Sequence, residues 1–303
     1  MNKLSAALLI FLAGYAIPAF SQEDNLDILN SLDEPITNYA TAGFKTTRVI
    51  NAHSIENVGA GVMDVKISHR FGYLNTGGYE LWGLDNATIR IGLDYGITKQ
   101  LMVGIGRSSF EKTYDAFLKY KFLRQSSGAH NMPVAAAFVS TIALKTLKPA
   151  DPERTNYFSS NLYYSHQLIV GRKFSESFTM QVMPTLVHRN LVATTEDNHD
   201  IFAIGVAARQ KLTKRTSVNL EYFYQLNQTD PTIHNSLSLG FDLETGGHVF
   251  QLHFTNSTSM IEKGFIAETS GDWLNGDVHF GFNIARVFTI VHKEPKKPPV
   301  EKS

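Results

Sequence analysis

The stretch MDVKISHRFGY, Met63 to Tyr73, alternates apolar and polar side chains almost without a break. Met63, Val65, Ile67, Phe71 and Tyr73 share one parity, with His69 the exception. Asp64, Lys66, Ser68, Arg70 and Gly72 share the other. Successive side chains of a strand point to opposite faces, so a period of two is the strand signature. A strand that is apolar on one face and charged on the other needs two different surroundings. A soluble β-sandwich or lipocalin-like barrel meets that need with a core and bulk water. A transmembrane barrel meets it with lipid outside and a polar lumen inside.

The pattern recurs along the chain. Ile89, Ile91, Leu93 and Tyr95 alternate with Arg90, Gly92, Asp94 and Gly96; Ala116, Leu118 and Tyr120 alternate with Asp115, Phe117, Lys119 and Lys121. The same period predicts twelve strands, near 63–73, 87–97, 101–107, 114–123, 133–145, 160–171, 177–188, 201–212, 216–226, 236–244, 248–256 and 277–288. Most have the roughly 9–11 residues that a tilted strand needs to cross a bilayer. The connections alternate in kind. Those at 96–99, 174–177, 213–216 and 244–247 are tight, with a longer one near 124–132, whereas 74–86, 108–113, 146–159, 189–200, 227–235 and 257–276 are long and polar. Short periplasmic turns opposite long outer loops mark an outer-membrane barrel. The expected fold is therefore all-β, a transmembrane antiparallel β-barrel of about twelve strands spanning 63–288. Lysine and arginine within the strands on one parity, the other being almost uncharged across many strands, and Tyr73, Tyr95, Tyr120, Tyr222 and Tyr224 on that other parity near strand ends, favour lipid over a soluble core.

The rest of the chain agrees with export. Lys3, the apolar run Leu4 to Ile17 and Ala19-Phe20-Ser21 read as a signal peptide over residues 1–21. No cysteine is present, so a barrel without free edges has to hold the chain together without disulfides. Lysine plus arginine equals aspartate plus glutamate at 28 each, which argues against nucleic acid as a partner. Residues 22–62 read as a periplasmic N-terminal segment and residues 289–303, rich in proline and lysine, as a disordered periplasmic tail.

Five stretches have a further likeness: FKTTRVINAHSIE (Phe44 to Glu56), HRFG (His69 to Gly72), GLDNATIRIGLDYGI (Gly83 to Ile97), GIGRSS (Gly104 to Ser109) and YDAFLKYK (Tyr114 to Lys121). They resemble an uncharacterised outer-membrane β-barrel family of Gram-negative bacteria, known by its domain of unknown function. The likeness runs from about residue 40 to 290. It implies barrel and outer-membrane location and carries no catalytic residue. Many barrels end on an aromatic residue of the last strand; here Phe288 has that position, but further residues follow it.

Candidate functional residues come from the charged parity. Asp64, Lys66, Arg70, Arg90, Asp94, Lys119, Lys121, Arg209, Glu221 and Asp242, with Asp115 and Lys211, are expected to line the lumen, either as an ion-pair network or as a selectivity lining. Lys45, Arg48, His53 and Glu56, just before the first strand, are expected to form a plug, the alternative being a periplasmic arm. Neutralising Lys66 is expected to cost less than placing a lysine at lipid-facing position 67. His253 and His279, on the last two strands, are weak metal candidates that face each other only if the register allows; no cofactor or metal is expected. His234, Ser236 and Asp230 are the best arrangement for a lipid hydrolase, and GIGRSS lacks the helix a phosphate loop needs.

These features predict a narrow or gated pore for a small solute or ion. The alternative is a closed structural or ligand-binding barrel whose long loops, with Phe265 and Trp273, contact a partner. An outer-membrane lipid hydrolase comes third. The expected partners are outer-membrane lipid, the barrel assembly machinery and a small solute or ion.

Overall fold

The computed structural model describes residues 36–149, 151, 153, 155, 157–192 and 194–291. The signal peptide, the stretch 22–35 and the tail from 292 onward lie outside the described residues. The chain divides into units 1–37 and 38–303; only Ile36 and Thr37 of the first are described, and the second contains the barrel.

Twelve strands form it: β1 (Val62–Tyr73), β2 (Ala87–Gly96), β3 (Leu101–Ser108), β4 (Tyr114–Leu123), β5 (Ala135–Leu144), β6 (Leu162–Lys173), β7 (Phe178–Arg189), β8 (Asp200–Lys211), β9 (Thr216–Gln225), β10 (Ser236–Thr245), β11 (His248–Thr255) and β12 (His279–Thr289). Each end lies within two residues of the boundary that the period predicts. Every strand pairs antiparallel with its neighbour in sequence, and β12 pairs with β1 to close the barrel. Closure leaves no edge of unpaired backbone, which is the condition for a sheet in lipid. No helix among the described residues is long and apolar enough to cross a membrane.

Parity decides burial. Ile105 is 60% exposed on the outer face, while Asp94, one strand away, is 1% exposed on the inner face. In β1 the inward set is Asp64, Lys66 and Arg70, all buried, and Ile67 faces out between Ile91 and Ile284. A one-residue slip would exchange the two sets and put charge into lipid, so the register is strongly specified.

The tight turns share a chemistry. In Ile97–Leu101, Phe174–Phe178 and Leu212–Thr216 the first N–H donates to the last carbonyl at 2.9, 2.9 and 3.0 Å. In each, the hydroxyl of the second residue (Thr98, Ser175, Thr213) accepts two backbone N–H groups and so replaces missing ladder bonds. The turn between β10 and β11 is instead a two-residue hairpin, Gly246-Gly247, with φ of 31° and 124°. Both lie in the region that favours glycine.

The long loop after β11 does not stay outside. It turns into the barrel and forms α1 (Glu262–Ala267), all six residues of which are buried. Phe265 packs edge-on against Phe223 of β9 with ring centroids 5.3 Å apart.

Candidate functional site: a hairpin inside the barrel

Residues 43–58 lie among the inward side chains of the wall. Val49 N–H donates to Ala52 O at 2.8 Å, Ser54 N–H donates to Thr47 O at 2.9 Å, and Arg48 bridges His53 antiparallel. The segment is thus a small hairpin with its tip at Ile50 and Asn51. A free hairpin of this size has too few bonds to stand alone. Here the wall supplies the rest.

Wall side chains are spent on the hairpin's backbone. One carboxylate oxygen of Glu221 accepts from the N–H groups of Ile50, Asn51 and Ala52 at 3.2, 3.1 and 2.9 Å. The Gln181 amide donates to His53 O at 2.8 Å and accepts from Ile55 N–H at 2.9 Å. Lys119 donates to Ser54 O at 2.6 Å and also to Glu56 O. Gln251 donates to Val49 O, and Asn283 donates to Ile50 O at 3.1 Å. Arg209 donates to Gly43 O at 2.8 Å. Backbone groups buried away from water need such partners.

Charged wall groups also pair with one another. Lys66 Nζ lies between Asp64 and Asp94, 2.7 Å from the latter, and also donates to Thr47 of the hairpin. Arg90 and Asp115 form a two-point pair, with Nε to Oδ1 at 2.9 Å. Gly104 and Gly106 make room for this layer. A Cβ at Gly104 would lie 2.3 Å from the Phe117 ring, and one at Gly106 would lie 2.3 Å from the Arg90 guanidinium. GIGRSS is therefore wall packing. Asp242 accepts from Ser217 Oγ at 3.0 Å and Gln251 at 2.7 Å. Lys121 reaches Glu56 at 3.4 Å. Lys45 pairs with Glu244 at the short-turn end.

The hairpin and the inward loop meet. Arg48 donates to Glu262 of α1, with side chains 8% and 4% exposed. Arg70 holds both parts, donating to Asn51 Oδ1 at 2.8 Å and to Ser257 O of the loop. His53 Nε2 lies 3.5 Å from Glu262. Burial first, then the cations Arg48 and Lys119, hold this imidazole well below its ordinary pKa, so the approach is not an ion pair. The cavity left beside Arg48, Ile50 and Lys66 is about 20 Å³, room for roughly one water. A wider chamber of about 280 Å³ opens below it at the short-turn end, beside Lys45, Asn57 and His248.

Four expectations need correction. Lys66 is not a cheap site to neutralise, because its removal would leave Asp64 and Asp94 buried without their cation. His253 pairs in register with Gly281, and His279 pairs with Thr255, so the two imidazoles are not opposed. His279 is engaged with Phe71 O at 2.7 Å and Thr258 Oγ1 at 2.9 Å, and no group of three potential metal ligands occurs among the described residues. Phe265 is fully buried and cannot meet an outside partner, while the Trp273 indole donates to Leu237 O at 2.9 Å. The hydrolase arrangement is not assembled: Ser236 Oγ has no hydrogen-bond partner and the Asp230 carboxylate is taken by Thr232.

Gln181, Gln251, Asn283 and Glu262 were not among the functional residues expected from the sequence. The first three lie on the inward parity, but an uncharged amide there looks like ordinary lining.

The family described as a membrane-bound β-barrel domain (DUF5777) matches residues 44–288. Among solved structures, the NanC porin is similar at 6% identity over 76% of this chain and 100% of that one, with a TM-score of 0.46. The KdgM porin is similar at 7% identity over 75% and 99%, also with a TM-score of 0.46. Omp33 of Acinetobacter baumannii is similar at 11% identity over 75% and 97%, with a TM-score of 0.39. Compared with curated proteins, the chain finds no match.

Proposed function

We propose, from the premise that this chain belongs to the membrane-bound β-barrel family, that it is a gated outer-membrane passage for a small polar solute or ion. The hairpin of residues 47–54 is its gate. One observation carries the reading: Glu221, Gln181, Lys119, Gln251 and Asn283 direct their hydrogen bonds to the hairpin's backbone. Twelve strands fall between the roughly eight that side chains fill and the sixteen that leave an open channel. Without the hairpin, this wall presents carboxylate, amide and ammonium groups to water, with the apolar Phe117, Ile169 and Met183 among them. Each bond to the hairpin exchanges for one to water at a net cost of about 0.5–1.5 kcal/mol. Withdrawal toward the short-turn side, where the wider chamber lies, also takes Val49, Ile50 and Ile55 out of the buried apolar cluster they share with the wall, which adds an apolar cost to that of the bonds.

A second reading, a permanently closed binding or structural barrel, draws on the apolar cluster that joins α1, the wall and Val49, Ile50 and Ile55 of the hairpin. Phe265 and Ile266 of α1 pack with Phe223 and Ile201 in one buried apolar cluster, and an apolar seal does not exchange with water.

Planar-bilayer conductance separates the two. The refolded full chain is expected to be silent or to open rarely. The full-length variant Glu221→Ala and a variant lacking residues 44–58 are expected to give discrete, salt-dependent steps. Silence from both variants, with folded barrels verified by heat-modifiable gel mobility, supports the closed reading instead.

A further inference from the structure

Arg107 is out of place. It sits on the outward parity of β3, near the long-loop end, where the strand code otherwise assigns apolar residues. Among the described strand residues it is the one lysine or arginine on that parity in the half nearest the long loops; Arg172 and Arg286 lie near the short-turn end. Its side chain is exposed, has no acidic partner among the described residues, and lies over the Tyr114 ring at 5.4 Å.

The register explains what lies beside it. Arg107 pairs with Tyr114 across β3 and β4. One step toward mid-membrane, Ile105 pairs with Ala116, and Ala116 pairs with Ile142 of β5. Ala116 is thus a short side chain between two long ones on the lipid face. Phe158, two-thirds exposed, stands at the long-loop rim and closes one side. The result is an apolar groove of about 650 Å³ on the outside of the barrel, with Arg107 at its head. That volume lies within the range of small-molecule sites.

We propose that this groove binds one membrane lipid of the long-loop leaflet, its acyl chain over Ala116 and its phosphate on Arg107. Ile105, Ile142 and Phe158 offer the chain a concave apolar bed in place of a flat wall. A guanidinium matches phosphate oxygens at two points and stacks on an aromatic face while doing so, which lysine does not. A cation on the lipid face near the interface is tolerated because its head can snorkel to the surface, where the lipid phosphates lie. The inference is independent of the gating reading, because the groove lies on the opposite face of the wall from the hairpin.

The test is native mass spectrometry of the refolded full chain, titrated in micelles with phosphatidic acid and, separately, with diacylglycerol of identical chains. The wild type is expected to hold phosphatidic acid at several-fold lower lipid concentration than diacylglycerol. Arg107→Gln is expected to bring phosphatidic acid to the diacylglycerol level and leave diacylglycerol unchanged, with Arg107→Lys in between. Ala116→Phe, which fills the groove, is expected to weaken both lipids several-fold. Heat-modifiable mobility verifies that each variant is folded. The proposal is overturned if Arg107→Gln keeps the phosphate preference or if Ala116→Phe changes neither lipid. It is overturned equally if Arg286→Gln, at the other rim, lowers phosphatidic acid as much as Arg107→Gln does.

Discussion

Arg48 of the hairpin donates to the carboxylate of Glu262 on α1 inside the barrel, and neither side chain is more than a tenth exposed. The pair joins a segment entering from the short-turn side to a loop entering from the other. Removing one partner strands the other charge in a site with little water, at a cost of about 3–5 kcal/mol. Arg48→Met and Glu262→Gln are each expected to lower the midpoint of denaturant unfolding, and the double variant to lose less than the sum. Additive losses in that cycle would mean that the two side chains are not coupled.

Glu221 ties the hairpin tip through three consecutive N–H groups. Glu221→Gln keeps the size but removes the charge that these bonds favour. A loss of about 1–3 kcal/mol is expected, the usual scale for weakening buried hydrogen bonds to a charged group. Hydrogen exchange of residues 49–52 should accelerate, with β9 itself unchanged. Uniform acceleration across β8 to β10 would place the role of Glu221 in the wall instead.

Adjacent residues of β1 should fail for opposite reasons. Ile67→Lys puts an unpaired ammonium into lipid at about 2–4 kcal/mol. Lys66→Met leaves Asp64 and Asp94 buried without their cation and is expected to cost about 3–5 kcal/mol. Adding Asp94→Asn should recover part of the second loss and none of the first. Recovery of both by Asp94→Asn would contradict the assignment of faces.

The hold on α1 should depend on pH at both extremes. Burial alone would raise the Glu111 carboxyl, but Lys263 and Lys145 beside it bring it below its ordinary value. Burial alone would lower Lys263, but Glu268 and Glu111, with Tyr163 beneath it, bring it above. A lowered carboxylate stabilises the fold above its unfolded pKa of about 4.3, and that contribution fades as pH falls through the folded value. A raised ammonium stabilises below about 10.4, and its contribution fades as pH rises through the folded value. Limited proteolysis within 257–276 should thus be slowest between about pH 5 and 10. Lys263→Met should flatten the profile; an unchanged profile in that variant would show that other groups hold the loop.

The barrel was legible because lipid leaves a two-residue period in the sequence and because tight connections alternate with long polar ones. The inner occupants left weaker marks. TTRVINAHS has no run of alternation, because its backbone bonds go mostly to wall side chains, and the hairpin owes its shape to Glu221 and Gln181 far along the chain. The loop 257–276 looked like an outer loop because Glu262 and Lys263 are charged, and their partners Arg48 and Glu111 are distant in sequence. One signal was present and unread. Phe117, Ile169, Met183, Ile201 and Phe223 are apolar on the inward parity, where a water-filled lumen would place polar groups, and they lie in the cluster that contains Val49, Ile50, Ile55 and Phe265. Apolar residues on both parities of one strand mean that something apolar packs inside.

The most direct test of the gate is to lock it. A Cβ built at Gly171 on β6 lies 3.2 Å from the Ile55 Cβ, close to the roughly 3.5–4.5 Å span of a disulfide. The chain has no cysteine of its own, so Ile55→Cys with Gly171→Cys offers a single pair. It would be combined with Glu221→Ala and followed in a planar bilayer before and after reduction. The gated account predicts silence while the disulfide is intact and salt-dependent steps once it is reduced. Equal conductance in the two states would contradict it, because the current would then not depend on whether the hairpin can leave the wall.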